Sequence, residues 1–296
     1  METVIHANPP LGVILRSYLQ LTKLPIVALL VITTVTAMFV AAGGVPDVGV
    51  MALTILGGTL ASSGASALNQ YWDRDMDAKM SRTARRPIPS GRISPTNALI
   101  FGTSLVAWAV FVLSFVNWLT ALLALGGAIY YVVIYTIILK RNTVVNILIG
   151  GGAGAMPVLV GWAAVHNSLS FEAFILFLII FYWTPPHSWA LALLVNSDYA
   201  RAQVPMMPVA RGEETTRQQI LLYSVQLFLI TLLPVLFGML GAIYFVGVLI
   251  LGGGMIYMAA RLLRQHDKVF TRAVYKYTTA YLAFLFLIMI FDRVIL

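Results

Sequence analysis

The chain contains nine apolar segments, each long enough to cross a lipid bilayer as an α-helix. A helical span needs about 20 predominantly apolar residues, and 60% of the 296 residues are hydrophobic while only 10% are charged. The segments lie at residues 24–42, 48–69, 96–116, 118–138, 144–164, 172–194, 219–238, 240–260 and 275–292. A barrel of membrane strands is disfavoured because its segments would be alternating and only about ten residues long. The pattern predicts an all-α polytopic membrane protein.

The distribution of basic residues predicts how these segments are oriented. If the N-terminus is cytoplasmic, 18 of the 19 Lys and Arg residues belong to cytoplasmic segments, and Arg293 is the exception. This asymmetry is the one that the positive-inside rule describes. We therefore expect a single integral membrane domain over residues 1–296, with a cytoplasmic segment 1–23 and a periplasmic C-terminus. The first 20 residues have neither a signal-peptide core nor a transit-peptide character, which favours uncleaved insertion into a bacterial inner membrane.

Composition also limits the chemistry and the partners of the chain. The absence of cysteine excludes disulfides, thiolate catalysis and Cys-based metal sites. The net charge of +8 is explained by topology and by contact with anionic membrane lipids, so we expect no nucleic-acid partner. Most charged residues lie in the longer loops of the cytoplasmic margin, and we expect the function to be located there.

A group of acidic residues follows the second apolar segment. Asn69, Asp73 and Asp77 recur every four residues and would share one face of a helix, whereas Asp75 lies about 200° away from Asp73. Three oxygen-bearing side chains on one face suit a hard cation such as Mg²⁺, which carries phosphate substrates with it. A solvated acidic loop would explain Asp75 but would explain the four-residue spacing poorly.

Basic residues downstream of these acids are candidate anion ligands. Arg82 and Arg86 keep the same spacing if the helix continues as far as Pro87, and we expect their guanidinium groups to bind a diphosphate. Lys140 and Arg141 follow the fourth apolar segment. They are either a cation pair that faces the same cavity or ordinary topology charges, and composition does not decide between these readings.

The end of the sixth apolar segment carries a second polar group. Asp198, beside Asn196, is either a second cation site or an interfacial acid, and we favour the site. The run 199–208 contains two prolines and is expected to be non-helical, with methionines that suit a cover over a cavity mouth. Because residues 196–198 echo the acidic group after the second segment, the chain hints at two related halves around a central cavity.

A pair of prolines interrupts the sixth apolar segment. Pro185 and Pro186 remove two backbone donors and are expected to bend the helix. His187 directly after them is a base, an iron ligand or a hydrogen-bonded core histidine, and the residues alone leave these three roles open. His166 falls in a connection on the other side of the membrane, where we expect it to be solvated.

The order and form of these motifs resemble the intramembrane (UbiA-type) prenyltransferase family. The matching runs are Asn69-x-x-x-Asp73-x-x-x-Asp77, Asp77-Ala78-Lys79-Met80-Ser81-Arg82-Thr83-Ala84-Arg85-Arg86-Pro87, Tyr135-Thr136…Leu139-Lys140-Arg141, Thr184-Pro185-Pro186-His187-x-Trp189 and Asp198-Tyr199…Val204-Pro205-Met206-x-Pro208. Their details are similar to the branch of the family that farnesylates haem. Most of the family has a second Asp-x-x-x-Asp motif, whereas this chain has Asp198 followed by Ala202, as that branch does.

The resemblance implies a nine-helix bundle around a central cavity that opens to the cytoplasmic side and binds farnesyl diphosphate through Mg²⁺. The implied metal ligands are Asn69, Asp73, Asp77 and Asp198. The implied diphosphate ligands are Asn69, Arg82, Arg86, Lys140 and Arg141. The implied haem contacts are His187 and Trp189. The implied catalytic residues are Asp73, Asp77, Lys140 and His187.

The activity implied by the resemblance is transfer of a farnesyl group to a vinyl group of protohaem IX (haem B), with water addition, giving haem O for terminal oxidase biogenesis. The implied partners are farnesyl diphosphate and protohaem IX, with haem A synthase or a terminal oxidase as protein partners. Prenylation of an aromatic acid or quinone precursor is the alternative, and the Pro-Pro-His-x-Trp element argues against it. A transporter or an oxidase-assembly scaffold is the alternative from another class. A transporter predicts ionisable residues at the midplane of several spans, whereas here they gather at the cytoplasmic margin.

Overall fold

The computed structural model describes residues 10–295, and every regular element in that range is helical. The helices are α1 (Leu11–Thr22), α2 (Leu24–Ala42), α3 (Val48–Asp77), α4 (Pro95–Ser114), α5 (Trp118–Ile129, continued by the π-helical segment Tyr130–Leu139), α6 (Asn146–His166), α7 (Phe171–Leu194), α8 (Asn196–Arg201), α9 (Met207–Arg211), α10 (Glu213–Leu236), α11 (Ala242–Leu262) and α12 (Lys268–Ile295). Within the described range, nine of these are long and apolar enough to cross a membrane. The predicted fold class and number of spans are confirmed.

Three of the spanning helices extend further into polar sequence than their apolar segments indicate. α3 continues past residue 69 to Asp77, α10 begins at Glu213 instead of residue 219, and α12 begins at Lys268 instead of residue 275. The reason is that each added residue of a growing helix makes one more backbone hydrogen bond, so a helix does not stop where its apolar stretch stops. The extension of α3 is the one that matters for function, because it makes the acidic motif helical.

Contacts between the helices define two ends of the bundle. At one end, Lys23 reaches Asn69 at the end of α3, and we call it the acidic end. At the other end, the Nε2–H of His166 donates to the Ala41 carbonyl, and the Arg293 guanidinium lies beside Gly43. We call it the Arg293 end. Helix α1 lies at the acidic end; the predicted segment 1–23 contains it, and residues 1–9 of that segment are outside the described range.

Small residues bring helices of the bundle into backbone contact. A Cβ added to Gly64 of α3 would lie 2.7 Å from the carbonyl oxygen of Gly102 in α4. A Cβ added to Gly161 of α6 would overlap the carbonyl oxygen of Thr34 in α2. Acyl chains are as apolar as the side chains, so the hydrophobic effect does little to hold helices together in lipid. Close packing of small residues is therefore a main source of helix association. Both pairs bring together spans that pack extensively on each other.

Replacing Gly161 by Ala is expected to lower the thermal unfolding midpoint of the protein in detergent. The new methyl group meets a backbone carbonyl that cannot rotate away, and overpacking of this kind costs about 1–3 kcal/mol. Gly154→Ala on the same helix is the matched control, because no described atom lies within 4 Å of its Cβ position. An equal loss of stability in the two variants would contradict the close approach of α2 and α6.

Candidate functional site

The last turns of α3 carry a row of buried polar side chains. Asn69, Asp73 and Asp77 are 2%, 0% and 2% exposed, whereas the side chain of Asp75 is 60% exposed. Because α3 is continuous to Asp77, the four-residue spacing places the three buried groups on one face. The predicted common face is confirmed, and Asp75 is separate from it.

Both buried carboxylates of this row are paired with basic residues from other parts of the chain. Lys140 Nζ donates to Asp73 Oδ2 at 2.5 Å, and Arg86 Nη1 donates to Asp77 Oδ2 at 2.7 Å. Buried charges persist in proteins when they are paired in this way. The structure therefore brings two predicted metal ligands together with two predicted diphosphate ligands.

A third basic residue, Lys23, lies at the junction of α1 and α2 in the left-handed backbone region, with φ of 52°. Its Nζ donates to Asn69 Oδ1 at 2.7 Å. Burial, assisted by the positive charges of Arg86 and Lys140, lowers the pKa of Lys23 to about 7. The basic groups are thus close enough to repel one another, and a polyanion bound among them would relieve that repulsion. We call six residues the charged cluster: Lys23, Asn69, Asp73, Asp77, Arg86 and Lys140.

The oxygen atoms of the charged cluster fit a hard cation as ligands. Asn69 Nδ2 donates to Asp73 Oδ2 at 2.8 Å, which leaves Asp73 Oδ1 buried and without a hydrogen-bond partner in the described residues. A buried carboxylate oxygen without a donor costs free energy. Mg²⁺ prefers carboxylate and amide oxygens as ligands, and Asp73 Oδ1, with the oxygens of Asn69 and Asp77 on the same face, supplies them.

The π-helical segment Tyr130–Leu139 packs against the face of α3 that carries Asn69 and Asp73. Thr136 Oγ1 accepts from Asn69 Nδ2 at 3.0 Å and donates to the Tyr131 carbonyl at 2.8 Å. The Lys140 N–H donates to the Tyr135 carbonyl, five residues back, at 2.8 Å. π-helical turns are frequent at functional sites. Here the wider turn directs Lys140 toward Asp73.

Asp198, predicted as a fourth metal ligand, is bound to the loop that follows α3. Its carboxylate accepts from the backbone N–H groups of Ser81 and Arg82 at 3.3 Å and from the Ser81 hydroxyl at 2.9 Å. Burial acts to raise the pKa of Asp198, but these hydrogen bonds outweigh it and the pKa is lowered. Between residues 10 and 295, no three His, Cys, Asp or Glu side chains are grouped to hold a metal. Its hydrogen bonds therefore make Asp198 an anchor of this loop.

The loop after α3 departs from the helical continuation that the spacing predicts. α3 ends at Asp77, and Thr83 Oγ1 donates to the Asp77 carbonyl at 2.9 Å. A side chain that takes the carbonyl in this way replaces the next helical turn, so the condition under which Arg82 and Arg86 would share the helical spacing of the acids is not met. Arg86 nevertheless reaches Asp77 across the turn. The exposed guanidinium of Arg82 makes no hydrogen bond within the described part of the chain.

Arg141 lies apart from its neighbour Lys140. Its guanidinium donates to the two Asp75 oxygens at 2.8 and 2.7 Å and to the Trp72 carbonyl at 2.9 Å. The predicted cation pair is therefore divided: Lys140 belongs to the charged cluster, and Arg141 belongs to an exposed pair on another side of α3.

His187 is held by a hydroxyl and by two aromatic rings. Its Nδ1 lies 2.8 Å from Thr278 Oγ1, which donates its own proton to the Tyr275 carbonyl at 2.7 Å. Nδ1 must then carry the imidazole proton, so Nε2 keeps a free lone pair. The ring stacks on Trp183 at 4.4 Å and on Tyr275 at 4.8 Å. This arrangement suits a fixed base or a metal ligand.

Trp189, predicted as a haem contact, lies in the protein core. It is 1% exposed and packs edge-to-face on Tyr223 at 5.3 Å. Two residues along a helix correspond to about 200° of rotation, so Trp189 and His187 lie on nearly opposite sides of α7. The structure does not bring these two predicted residues together.

The segment 199–208 is only partly irregular. α8 and α9 enter it from both sides and leave residues 202–206 as the non-helical part. Val204 and Met206 are 1% and 3% exposed and belong to the same buried cluster as Met76 and Met80. The segment therefore packs over the acidic end, as its methionines indicate, although it is more helical than predicted.

Several residues of the site carry no signal in a single sequence. Lys23 has the appearance of a topology charge in the sequence, while Ser81, Thr136 and Thr278 are hydroxyl residues of common type. Thr278 is 91 residues from His187 in sequence. Only the fold shows that each of these side chains contacts a functional group. The two prolines before His187, and the motif they belong to, are the signals in the sequence that pointed to the His187 region.

Comparison with known proteins shows the family of the chain. Residues 30–288 match the model of the UbiA prenyltransferase family. A protoheme IX farnesyltransferase of Roseiflexus castenholzii is 50% identical over 295 residues, which are 99% of this chain and 54% of that protein, so the chain spans about half the length of this relative. A protein of the same name from Symbiobacterium thermophilum is 48% identical over 283 residues, 95% of each chain.

Solved structures show the same fold at low sequence identity. The structure of a digeranylgeranylglyceryl phosphate synthase superimposes with a TM-score of 0.79 at 19% identity, over 96% of this chain and 99% of that one. A UbiA homologue from Archaeoglobus fulgidus, bound to GPP and Mg²⁺, superimposes with a TM-score of 0.63 at 15% identity, over 92% and 99%. Because the family model covers most of the chain and a relative matches it almost end to end, the chain belongs to the UbiA prenyltransferase family.

Proposed function

We propose that this chain transfers a farnesyl group from farnesyl diphosphate to a vinyl group of protohaem IX and adds water, giving haem O. The observation that carries the proposal is the charged cluster, in which two buried carboxylates and an amide meet three basic side chains at the end of α3. This arrangement suits a metal-bound diphosphate. The acceptor is supported by the names of the relatives and by the protected His187.

The diphosphate binds among the basic groups of the charged cluster. Lys140 and Arg86 donate to its oxygens, and Lys23 adds a third positive charge. The exposed Arg82 guanidinium closes on it from the loop that Asp198 anchors. Mg²⁺ held by Asn69, Asp73 and Asp77 would neutralise charge on the diphosphate and make it a better leaving group. The positions of these groups are set before substrate arrives, which lowers the cost of reorganisation.

The bonds that change are those of a prenyl transfer followed by hydration. The bond between farnesyl C1 and the diphosphate oxygen breaks, and the terminal carbon of the haem vinyl group bonds to C1. Water bonds to the inner vinyl carbon and loses a proton, which leaves a hydroxyethylfarnesyl side chain. Tyr131 and Tyr135 stack at 5.7 Å beside Lys140, and aromatic faces of this kind stabilise an allylic cation.

His187 contacts the haem in this scheme. Thr278 holds the proton on Nδ1, so Nε2 presents its lone pair to the haem iron or the haem edge. Assistance to the incoming water as a general base is the second role of the same lone pair. The rings of Trp183 and Tyr275 keep the imidazole from rotating.

The proposed location is a bacterial inner membrane, with the N-terminus cytoplasmic and the C-terminus periplasmic. The basic residues of the charged cluster and its loops would then lie on the cytoplasmic side, as the positive-inside rule requires. Haem A synthase or a terminal oxidase is the proposed consumer of haem O. Charged side chains are absent from the middle of the apolar segments, which disfavours a transporter.

Purified protein in vesicles is expected to convert protohaem to a more hydrophobic haem when farnesyl diphosphate and Mg²⁺ are both supplied. Reversed-phase chromatography with mass detection measures the product, and omission of Mg²⁺ with excess EDTA is expected to abolish it because the diphosphate is then a poor leaving group. A parallel incubation with a hydroxybenzoate acceptor is the control. Farnesylation of the hydroxybenzoate without conversion of haem would contradict the proposal and would assign the chain to prenylation of aromatic acids.

A further inference from the structure

A cavity of about 430 Å³ lies at the Arg293 end of the bundle, opposite the charged cluster. Its walls come from α2, α6, α7, α12 and the residues after α10. Val40, Phe237 and Met239 form apolar parts of the wall, while Trp162, Ser170 and Arg293 form polar parts. Nothing in the proposed farnesyl transfer uses this cavity.

Two hydrogen-bond donors in the wall have no acceptor among residues 10–295. They are the indole Nε1 of Trp162 and the guanidinium Nε of Arg293, and both are buried. Trp162 is only 7% exposed, so bulk water does not satisfy its Nε1. Buried donors without acceptors cost free energy. An anionic group with several oxygens would satisfy both, and Arg293 would bind it through a charge-assisted hydrogen bond.

An acidic side chain, Glu172, also lines the cavity. No ion pair joins it to Arg293 within the described range. His166 is fixed beside Trp162, because its Nε2–H donates to the Ala41 carbonyl at 2.9 Å. A guanidinium and a carboxylate that face one space without pairing suit a ligand that carries both signs of charge.

Exposed apolar side chains lie next to Phe237, which is part of the cavity wall. Phe171, Leu236 and Phe237 are 58%, 75% and 56% exposed, and the two phenylalanine rings pack edge-to-face at 5.0 Å. These residues lie at ends of membrane-spanning helices, where aromatic side chains meet the boundary between headgroups and acyl chains. A ligand of this site therefore combines a zwitterionic head with an apolar tail.

We propose that the cavity binds the headgroup of a zwitterionic membrane phospholipid of the phosphoethanolamine class. The phosphate accepts from Arg293 and Trp162, and the ammonium group pairs with Glu172. The acyl chains lie over Phe171, Leu236 and Phe237. The site lies at the opposite end of the bundle from the charged cluster, so lipid binding is tested separately from prenyl transfer.

Native mass spectrometry of the full chain, released from vesicles of phosphatidylethanolamine and phosphatidylglycerol in equal amounts, tests the proposal. The unchanged protein is expected to retain phosphatidylethanolamine preferentially. Arg293→Gln is expected to lower retention of both lipids about tenfold, as loss of one charge-assisted hydrogen bond predicts. Arg264→Gln removes the same charge from an exposed position at the acidic end, and it is expected to retain lipid as the unchanged protein does.

Two further variants separate the two charges of the ligand. Glu172→Gln is expected to retain lipid but to lose the preference for phosphatidylethanolamine. Trp162→Phe keeps an aromatic ring but removes the Nε1 donor, and it is expected to lower retention of both lipids by a smaller factor than Arg293→Gln does. Equal retention by Arg293→Gln and Arg264→Gln would overturn the proposal, as would an unchanged preference in Glu172→Gln. Displacement of the lipid by soluble phosphoethanolamine at matched concentration would also overturn it, because the site would then bind a free headgroup and not a membrane lipid.

Discussion

Replacing Asp73 by Asn is expected to lower the rate of haem farnesylation by about a thousandfold or more at any Mg²⁺ concentration. Asp73 is fully buried at the centre of the charged cluster, where it receives Lys140 and Asn69 on one oxygen and has the other oxygen free of protein donors. An amide has no charge to balance a divalent cation and offers only one oxygen. Stabilisation of the leaving diphosphate is then lost, and contributions of this type reach several kcal/mol. Initial rates of haem O formation in vesicles measure the effect.

The matched control is Asp75→Asn, two residues along the same helix. Asp75 is mostly exposed and pairs with Arg141 outside the charged cluster, so its loss is expected to change the rate by no more than about threefold, as for other exposed ion pairs. Both variants make the same chemical change in the same turn of α3. Substantial turnover by Asp73→Asn, or equal losses in the two variants, would show that the metal-binding face of α3 is misassigned.

Replacing His187 by Ala is expected to abolish haem conversion while leaving farnesyl diphosphate binding within about twofold of the unchanged protein. His187 is held by Thr278 and by two aromatic rings, and no member of the charged cluster contacts it. The variant loses the lone pair of Nε2, and loss of a positioned base or ligand costs about 10²–10⁴ in rate. Isothermal titration with a non-hydrolysable farnesyl diphosphate analogue measures binding, and haem chromatography measures turnover.

Variants of Thr278 distinguish this role from a purely structural one. Thr278→Val removes the acceptor that holds the proton on His187 Nδ1, whereas Thr278→Ser keeps a hydroxyl at that position. We expect Thr278→Val to lower the rate about tenfold and to alter its pH profile, because the tautomer of the imidazole is no longer fixed, and Thr278→Ser to restore both. A parallel loss of diphosphate binding and haem conversion in His187→Ala would instead assign His187 a structural role in α7.

The sequence is sufficient to predict the helical class, the nine spans and the grouping of Asn69, Asp73 and Asp77. Long apolar runs have one solution in lipid, because every backbone group must find its partner within its own helix. A four-residue spacing is likewise local information, since helix geometry alone converts it into a common face. The resemblance of the motifs to the UbiA prenyltransferase family was confirmed by the match over residues 30–288.

The partners of these groups are decided by the tertiary structure. The sequence treats Lys140 and Arg141 as one pair, yet adjacent residues point in different directions, and the π-helical turn sends Lys140 to Asp73 while Arg141 reaches Asp75. Lys23 lies 46 residues from Asn69 in sequence and contacts it only because α1 and α2 meet at the end of α3. Contacts over such distances depend on helix packing, which a single sequence does not encode in any local pattern.

The contrast is clearest for the residues around the two prolines of α7. The sequence by itself predicts a bend there, because proline chemistry acts on its own backbone, and α7 nevertheless runs as one helix from Phe171 to Leu194. Only the tertiary structure decided that His187 meets Thr278 while Trp189 turns into the core against Tyr223. The physical reason is that a bend is set by the backbone of one helix, whereas the protonated nitrogen and the exposed face of a side chain are set by whichever helices pack around it.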